Sequence, residues 1–173
     1  VIIERAESFK PQAETKNLKL NVEIEEDLPE AYFDKIRTKQ VLNNLFSNAL
    51  KYTEVGGITI KVAKEVSGGQ AVDILVSVVD TGIGIEPDQI SKLFSRFGQL
   101  AGGRKQAALK SSGLGLYIAK SIVEAQGGKI GTKSQGAGLG STFYFTIPLA
   151  EKMTIGQTSQ DRPIAVVSKV AQA

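Results

Sequence analysis

The chain has 173 residues and a formal net charge of +3, with 42% hydrophobic and 23% charged residues and no cysteine, histidine or tryptophan. That length suits one domain with a buried core, and the missing residue types exclude disulfides, structural zinc, thiol nucleophiles and imidazole triads. An oxygen-ligand site for magnesium or calcium stays open. Charges of both signs are mixed along the chain without a basic block, so nucleic-acid binding is not expected, and the apolar run 74–79 is far too short to span a membrane. With no signal-peptide pattern and Val1 at its start, the chain reads as a piece of a longer, cytoplasmic protein whose parent stays open to membrane anchoring.

In chain order, Ile2, Ile3, Ala6, Phe9 and Ala13 recur at helical spacing over 1–16, a helix leading in from whatever precedes it. Leu18, Leu20, Val22 and Ile24 alternate with polar residues and predict a half-buried strand. Asp34 is placed to cap a helix running to about Tyr52, with Ile36, Val41, Leu42, Leu45, Phe46, Ala49 and Leu50 as its apolar face. Two strand-like runs, 58–66 and 71–80, flank Ser67-Gly68-Gly69 and predict a hairpin. A Pro87-led short helix ends near Phe94, and the Gly-, Ala- and Lys-rich stretch 98–112 reads as a mobile loop. A helix over 114–125 stops at Gly127-Gly128, and strands over 129–134 and 141–148 close the pattern. Residues 1–149 thus form the expected domain and 150–173 a flexible linker. The pattern is α+β, a mixed, mainly antiparallel sheet covered by about three helices.

Three glycine pairs stand out, Gly82 with Gly84, Gly113 with Gly115, and Gly138 with Gly140. Neither a Walker A loop nor the three-glycine dinucleotide fingerprint occurs, so a nucleotide here is held in neither of those ways. The helix over 34–52 carries the sharper signal. Asn44 and Asn48 are four apart and share a face, with Lys51 and Tyr52 a turn further on. Read alone, this is either a solvated polar edge or an amide-oxygen ligand for a hard cation with a lysine beside it for phosphate.

These residues also resemble a known family. The segment 40–53 (QVLNNLFSNALKYT) resembles the N box of sensor histidine kinases, and 80–85 (DTGIGI) their first glycine box. Leu93-Phe94-Ser95-Arg96-Phe97 is similar to the phenylalanine box, Ser112-Gly113-Leu114-Gly115-Leu116 to the second glycine box, and 138–143 (GLGSTF) to the last glycine-containing turn. All five come in the family's order across 1–149. The resemblance implies the Bergerat (GHKL) ATP-binding fold, an α/β sandwich, and ATP with Mg²⁺ as its ligands. It implies Asn48 as the magnesium ligand, Asn44 as support for metal and phosphates, Lys51 as a phosphate neutraliser and Tyr52 as a flank to the nucleotide. Asp80 would accept from the adenine amino group, while Gly82 and Gly84 admit the base. Phe94 and Phe97 would anchor the lid, Arg96 would meet the transferring phosphate, and Gly113, Gly115 and Leu116 would offer backbone N–H groups to phosphate. Thr142 would bring a hydroxyl near the adenine.

Hydrolytic members of this fold carry a glutamate four residues before the magnesium asparagine. Here that position is Asn44, which cannot serve as a base near neutral pH. The implied reaction is therefore transfer of the γ-phosphate to a histidine on a separate dimerisation domain, and indirectly to a response-regulator receiver domain. The alternative is a degenerate nucleotide-binding module without phosphotransfer, suggested by Lys110-Ser111-Ser112 where the family often has Gly-Gly-Thr.

Overall fold

The structure, a computed structural model, describes residues 1–96 and 113–149 and the backbone of 165–166. Its elements are α1 (Ile2–Thr15), β1 (Lys19–Ile24), β2 (Tyr32–Phe33), α2 (Lys35–Tyr52), β3 (Gly57–Ser67), β4 (Gln70–Asp80), α3 (Pro87–Ile90), α4 (Gly115–Ala125), β5 (Ile130–Lys133), β6 (Ser141–Pro148) and β7 (Ala165–Val166). Five strands form one sheet in the order β1-β3-β4-β6-β5. Only β1 and β3 run parallel, joined by the α2 crossover that a parallel pair requires; the other pairs are antiparallel. The expected mixed α+β architecture is what the chain adopts.

The core lies on one face of this sheet. Ile58, Ile60 and Val62 of β3, Ile74, Val76 and Val78 of β4, and Phe143, Phe145 and Ile147 of β6 all point into it and are buried. The period-2 geometry of a strand sends Thr59, Lys61, Ser77, Val79, Thr142 and Tyr144 to the other face, where they are half-buried or exposed. α2 covers the apolar face with Val41, Leu42, Leu45, Phe46, Ala49 and Leu50, and α1 and α4 pack against its flanks. Phe9 of α1 meets Phe46 edge-on at 5.4 Å between ring centroids.

Capping fixes where α2 begins. The Asp34 carboxylate accepts from the N–H groups of Ile36 and Arg37 at 2.8 and 2.9 Å, satisfying two of the helix's orphan donors. The Asp34 N–H donates to Gln126 Oε1 at 2.7 Å, which holds the start of α2 beside the end of α4. The two helices therefore run antiparallel, and the middle of α2 faces the start of α4.

Two expectations are corrected. Ile36, assigned to the apolar face, is 74% exposed, because at about 3.6 residues per turn it falls on the side of α2 opposite Leu45, and Thr38 takes the buried place near the helix start. The strand over 18–24 buries Leu18, but Val22 and Ile24 are exposed, since β1 is an edge strand and burial falls away along it. The stretch 150–173, read as a linker, lies outside the described residues except for 165–166, whose pairing with Tyr32 and Phe33 had no sequence signal. The loop expected over 98–112 lies outside the described residues.

Candidate nucleotide site

At the C-terminal end of α2 the helix runs out of backbone donors, so its last carbonyls must find partners elsewhere. One of them, Tyr52 O, accepts from Ile83 N–H at 3.1 Å. This ties the loop after β4 to the helix. From the other side, Gly138 N–H donates to Ile83 O at 2.7 Å and Gly140 N–H to Gly82 O at 3.1 Å. The loop is thus stitched by backbone bonds between α2 and the turn before β6. A Cβ on Gly82 would collide with Tyr52 O, so the close approach requires glycine there. Gly84 has φ +69° and its missing Cβ would overlap Gly136 O.

Asp80 ends β4 at the floor of this loop and is 6% exposed. Its Oδ2 accepts from Ser141 Oγ at 2.6 Å and its Oδ1 from Gly82 N–H at 2.8 Å. Burial raises the carboxyl's pKa above its ordinary range, while the hydrogen bonds from Ser141 and Gly82 oppose the rise. A carboxylate has about four lone-pair positions, so this one keeps acceptor capacity for a donor arriving from the loop side.

Four of the expected residues lie on α2, whose last turn meets this loop through Tyr52 O. Asn44 and Asn48 lie half-buried on one side of α2, and Lys51 and Tyr52 follow, with the Lys51 ammonium 5.2 Å from the Tyr52 ring centroid. Asn44 Nδ2 donates to Gln40 O at 3.2 Å, and its Oδ1 lies 2.6 Å from where a Cβ on Gly115 would sit. The second glycine box therefore abuts the asparagine face of α2. Gly113 has φ +67°, Leu114 provides no side-chain cap, and α4 opens at Gly115, so the positive end of this helix's dipole lies at the second glycine box. Leu116 packs against the core, and Phe94 meets Phe143 edge-on at 6.5 Å. Arg96 is exposed at the edge of the described residues, and Phe97 lies outside them.

Thr142 is misplaced by the sequence reading. It pairs with Val79 and Lys133 on the far face of the sheet, whereas Ser141, opposite Asp80, provides the hydroxyl beside the carboxylate. The sequence held the signal. Phe143 and Phe145 mark the core-facing parity of β6, and Ser141 shares it while Thr142 does not.

The donor set also suits a magnesium–nucleotide. Amide oxygens on α2 are hard ligands without charge, which fits an ion that brings its own phosphate oxygens. Among the described residues no three carboxylate, histidine or cysteine side chains group together to hold a metal on their own.

Comparison with known proteins decides the family. Residues 33–151 match the family described as "Histidine kinase-, DNA gyrase B-, and HSP90-like ATPase". The chain belongs to that family. It is 43% identical over 146 residues to the hybrid signal transduction histidine kinase C of Dictyostelium discoideum, covering 80% of this chain and 12% of that protein. It is 39% identical over 145 residues to the sensory/regulatory protein RpfC of Xanthomonas campestris, covering 82% and 20%. The chain therefore spans a small part of the curated relatives it matches. Among solved structures, the catalytic domain of histidine kinase ThkA superposes with a TM-score of 0.68 at 31% identity, covering 85% of this chain and 89% of that one. Full-length ShkA in complex with AMPPNP gives 0.72 at 30% identity, covering 86% and 30%. In sequence and fold this ATPase-family chain is a histidine kinase catalytic domain.

Proposed function

We propose that the chain binds magnesium–ATP at this site and transfers the γ-phosphate to a histidine on a separate dimerisation and phosphoacceptor domain. The observation that carries the transfer reading is the polar face of α2, which bears amides at positions 44 and 48 and so offers no base there to activate water. The chain contains no histidine, so the acceptor must come from elsewhere. Asp80 accepts from the adenine amino group, and Gly82 and Gly84 give the base room beside the backbone. Asn48, with Asn44 behind it, holds the metal, which when bound supplies positive charge to the phosphate oxygens. Lys51, Arg96 and the N–H groups opening α4 at Gly113, Gly115 and Leu116 neutralise the rest, and such preorganised charge accounts for most of phosphoryl-transfer catalysis. Tyr52 flanks the nucleotide, and the lid-anchoring role falls to Phe94; Phe97, given the same role, lies outside the described residues. An imidazole nitrogen forms the N–P bond as the bond to the β–γ bridging oxygen breaks, and ADP leaves with that electron pair.

We place the catalytic unit at 1–149. In the parent the acceptor domain passes phosphate to a receiver domain, as the hybrid and regulatory names of the relatives suggest. Among the described residues no helix is long and apolar enough to cross a membrane, and we assign this unit to the cytoplasmic side.

The test is direct. Mixed with labelled ATP, Mg²⁺ and the parent's histidine-bearing domain, the chain should place acid-labile phosphate on that domain and none on itself. ATP binding without any labelled acceptor would overturn the transfer reading. A second measurement checks the corrected hydroxyl. Ser141→Ala should weaken binding of an ATP analogue about tenfold, the worth of one hydrogen bond to a charged group. Thr142→Ala should leave the affinity, read by calorimetric titration, unchanged.

A further inference from the structure

The end of α2 is held from two sides, and the nucleotide reading uses only one of them. Tyr52 O receives the loop's Ile83 N–H. The neighbouring carbonyls, Leu50 O and Thr53 O, both accept from the ammonium of Lys16, the latter at 3.0 Å. Lys16 caps the C-terminus of α1, and Asn17 at φ +54° turns the chain so that Leu18 N–H closes back on Ala13 O and Leu18 is buried. That turn, which asparagine tolerates in the left-handed region, fixes the direction in which the Lys16 stem leaves the backbone.

Thr53 is fully buried and Leu50 is 6% exposed, while Lys16 is exposed and reaches their carbonyls through part-buried hydrogen bonds. Carbonyls beside buried side chains gain from such a partner. A single cation satisfies both and sits where the negative end of the helix dipole favours it. The consequence reaches the loop. With Leu50 O and Thr53 O fixed by Lys16, the intervening Tyr52 peptide is held between two anchors, and its carbonyl keeps one direction, toward Ile83.

We propose that Lys16 is a positioning residue for nucleotide binding. It locks the Tyr52 carbonyl that holds Gly82 and Ile83 in place above Asp80. The idea rests on the nucleotide reading of that loop, but its first observable does not. In the nucleotide-free chain, Lys16→Met should speed hydrogen exchange of the Ile83 amide relative to amides in β3 and β4. In the same variant the Kd for AMPPNP should rise about tenfold, as for loss of one charge-assisted hydrogen bond. Lys16→Arg, which keeps charge and donors, should restore both, and Lys16→Gln, which keeps a donor without charge, should fall between. If the methionine variant does not fold, the arginine–glutamine comparison carries the same test. Unchanged Ile83 exchange and affinity in Lys16→Met would overturn the proposal. So would a uniform rise in exchange at all amides that Lys16→Arg fails to reverse, which marks a merely structural lysine. Failure of the wild-type chain to bind AMPPNP would overturn the nucleotide reading instead, and the exchange result would still decide the clamp.

Discussion

Asp80→Asn is expected to weaken binding of an ATP analogue by at least about 100-fold, or roughly 2.7 kcal/mol, while the chain stays folded. The asymmetry comes from the partners. Asparagine Oδ1 can still accept from Gly82 N–H, and the Ser141 hydroxyl, which now donates to Oδ2, can rotate to accept from an amide nitrogen. The internal bonds survive the change. The external one does not, because an amide N–H₂ would face the adenine amino group, donor against donor. Sites built around one buried polar partner discriminate strongly for this reason.

The pH dependence has a defined sign. Burial raises the Asp80 pKa, so the native protein takes up this proton more readily than the unfolded chain does. The stability associated with the protonated carboxyl is fully present below the ordinary carboxylate range and is lost as pH rises through the raised value. Thermal melts across that window should therefore show wild type losing stability with rising pH relative to Asp80→Asn. Analogue affinity should run the other way. It should grow as the carboxylate ionises in wild type and stay flat in the variant. A variant that bound as tightly as wild type would remove Asp80 from the site.

Gly84→Ala should have the largest effect on stability. The residue has φ +69°, where a Cβ is strained, and that Cβ would overlap the carbonyl oxygen of Gly136, which is backbone and cannot swing aside. Gly138 is the control. Its φ of +77° is similar, but nothing lies within 4 Å of where its Cβ would sit. Gly138→Ala should therefore cost only the left-handed strain, about 1–2 kcal/mol. Gly84→Ala should cost roughly 3–4 kcal/mol and lower the melting temperature by about 6–16 °C in a chain of this size. It should also abolish analogue binding, because relief of the overlap would pull the loop off Asp80. Equal melting temperatures for the two variants would show that the Gly136 contact is not the constraint.

Much of this arrangement was legible in the sequence because local rules carry it. The apolar period of α2, its Asp34 cap and the Ser67-Gly68-Gly69 hairpin are each set by residues close in the chain, and the structure reproduces them. The glycine boxes were legible only through the family resemblance, since each glycine pair alone reads as an ordinary turn. What escaped depends on contacts between distant segments. Whether β1 buries Val22 and Ile24 depends on how far the helices extend over an edge strand, which no periodicity within β1 reports. The Tyr32–Phe33 pairing joins residues far apart in the chain over only two positions, too short to leave a pattern. The choice between Ser141 and Thr142 was readable in principle, but only by applying strand parity from Phe143 backward rather than by motif position. Lys16 gave no sequence signal, since a lysine at a helix end is ordinary until the carbonyls it meets are known.

The strand order has a consequence for how the site comes into being. β6, the last strand of the main sheet in the chain, is inserted between β4 and β5, and it carries the Ser141 that completes the floor, 61 residues after Asp80. The β3–β4 hairpin can pair as soon as it is made, but the carboxylate at its end waits for a distant strand to dock beside it. Such long-range pairing is slow compared with local closure. Ligand capture is thus one of the last events as the chain folds during synthesis, and a chain truncated before Ser141 would have the asparagines and the first glycine box without a pocket.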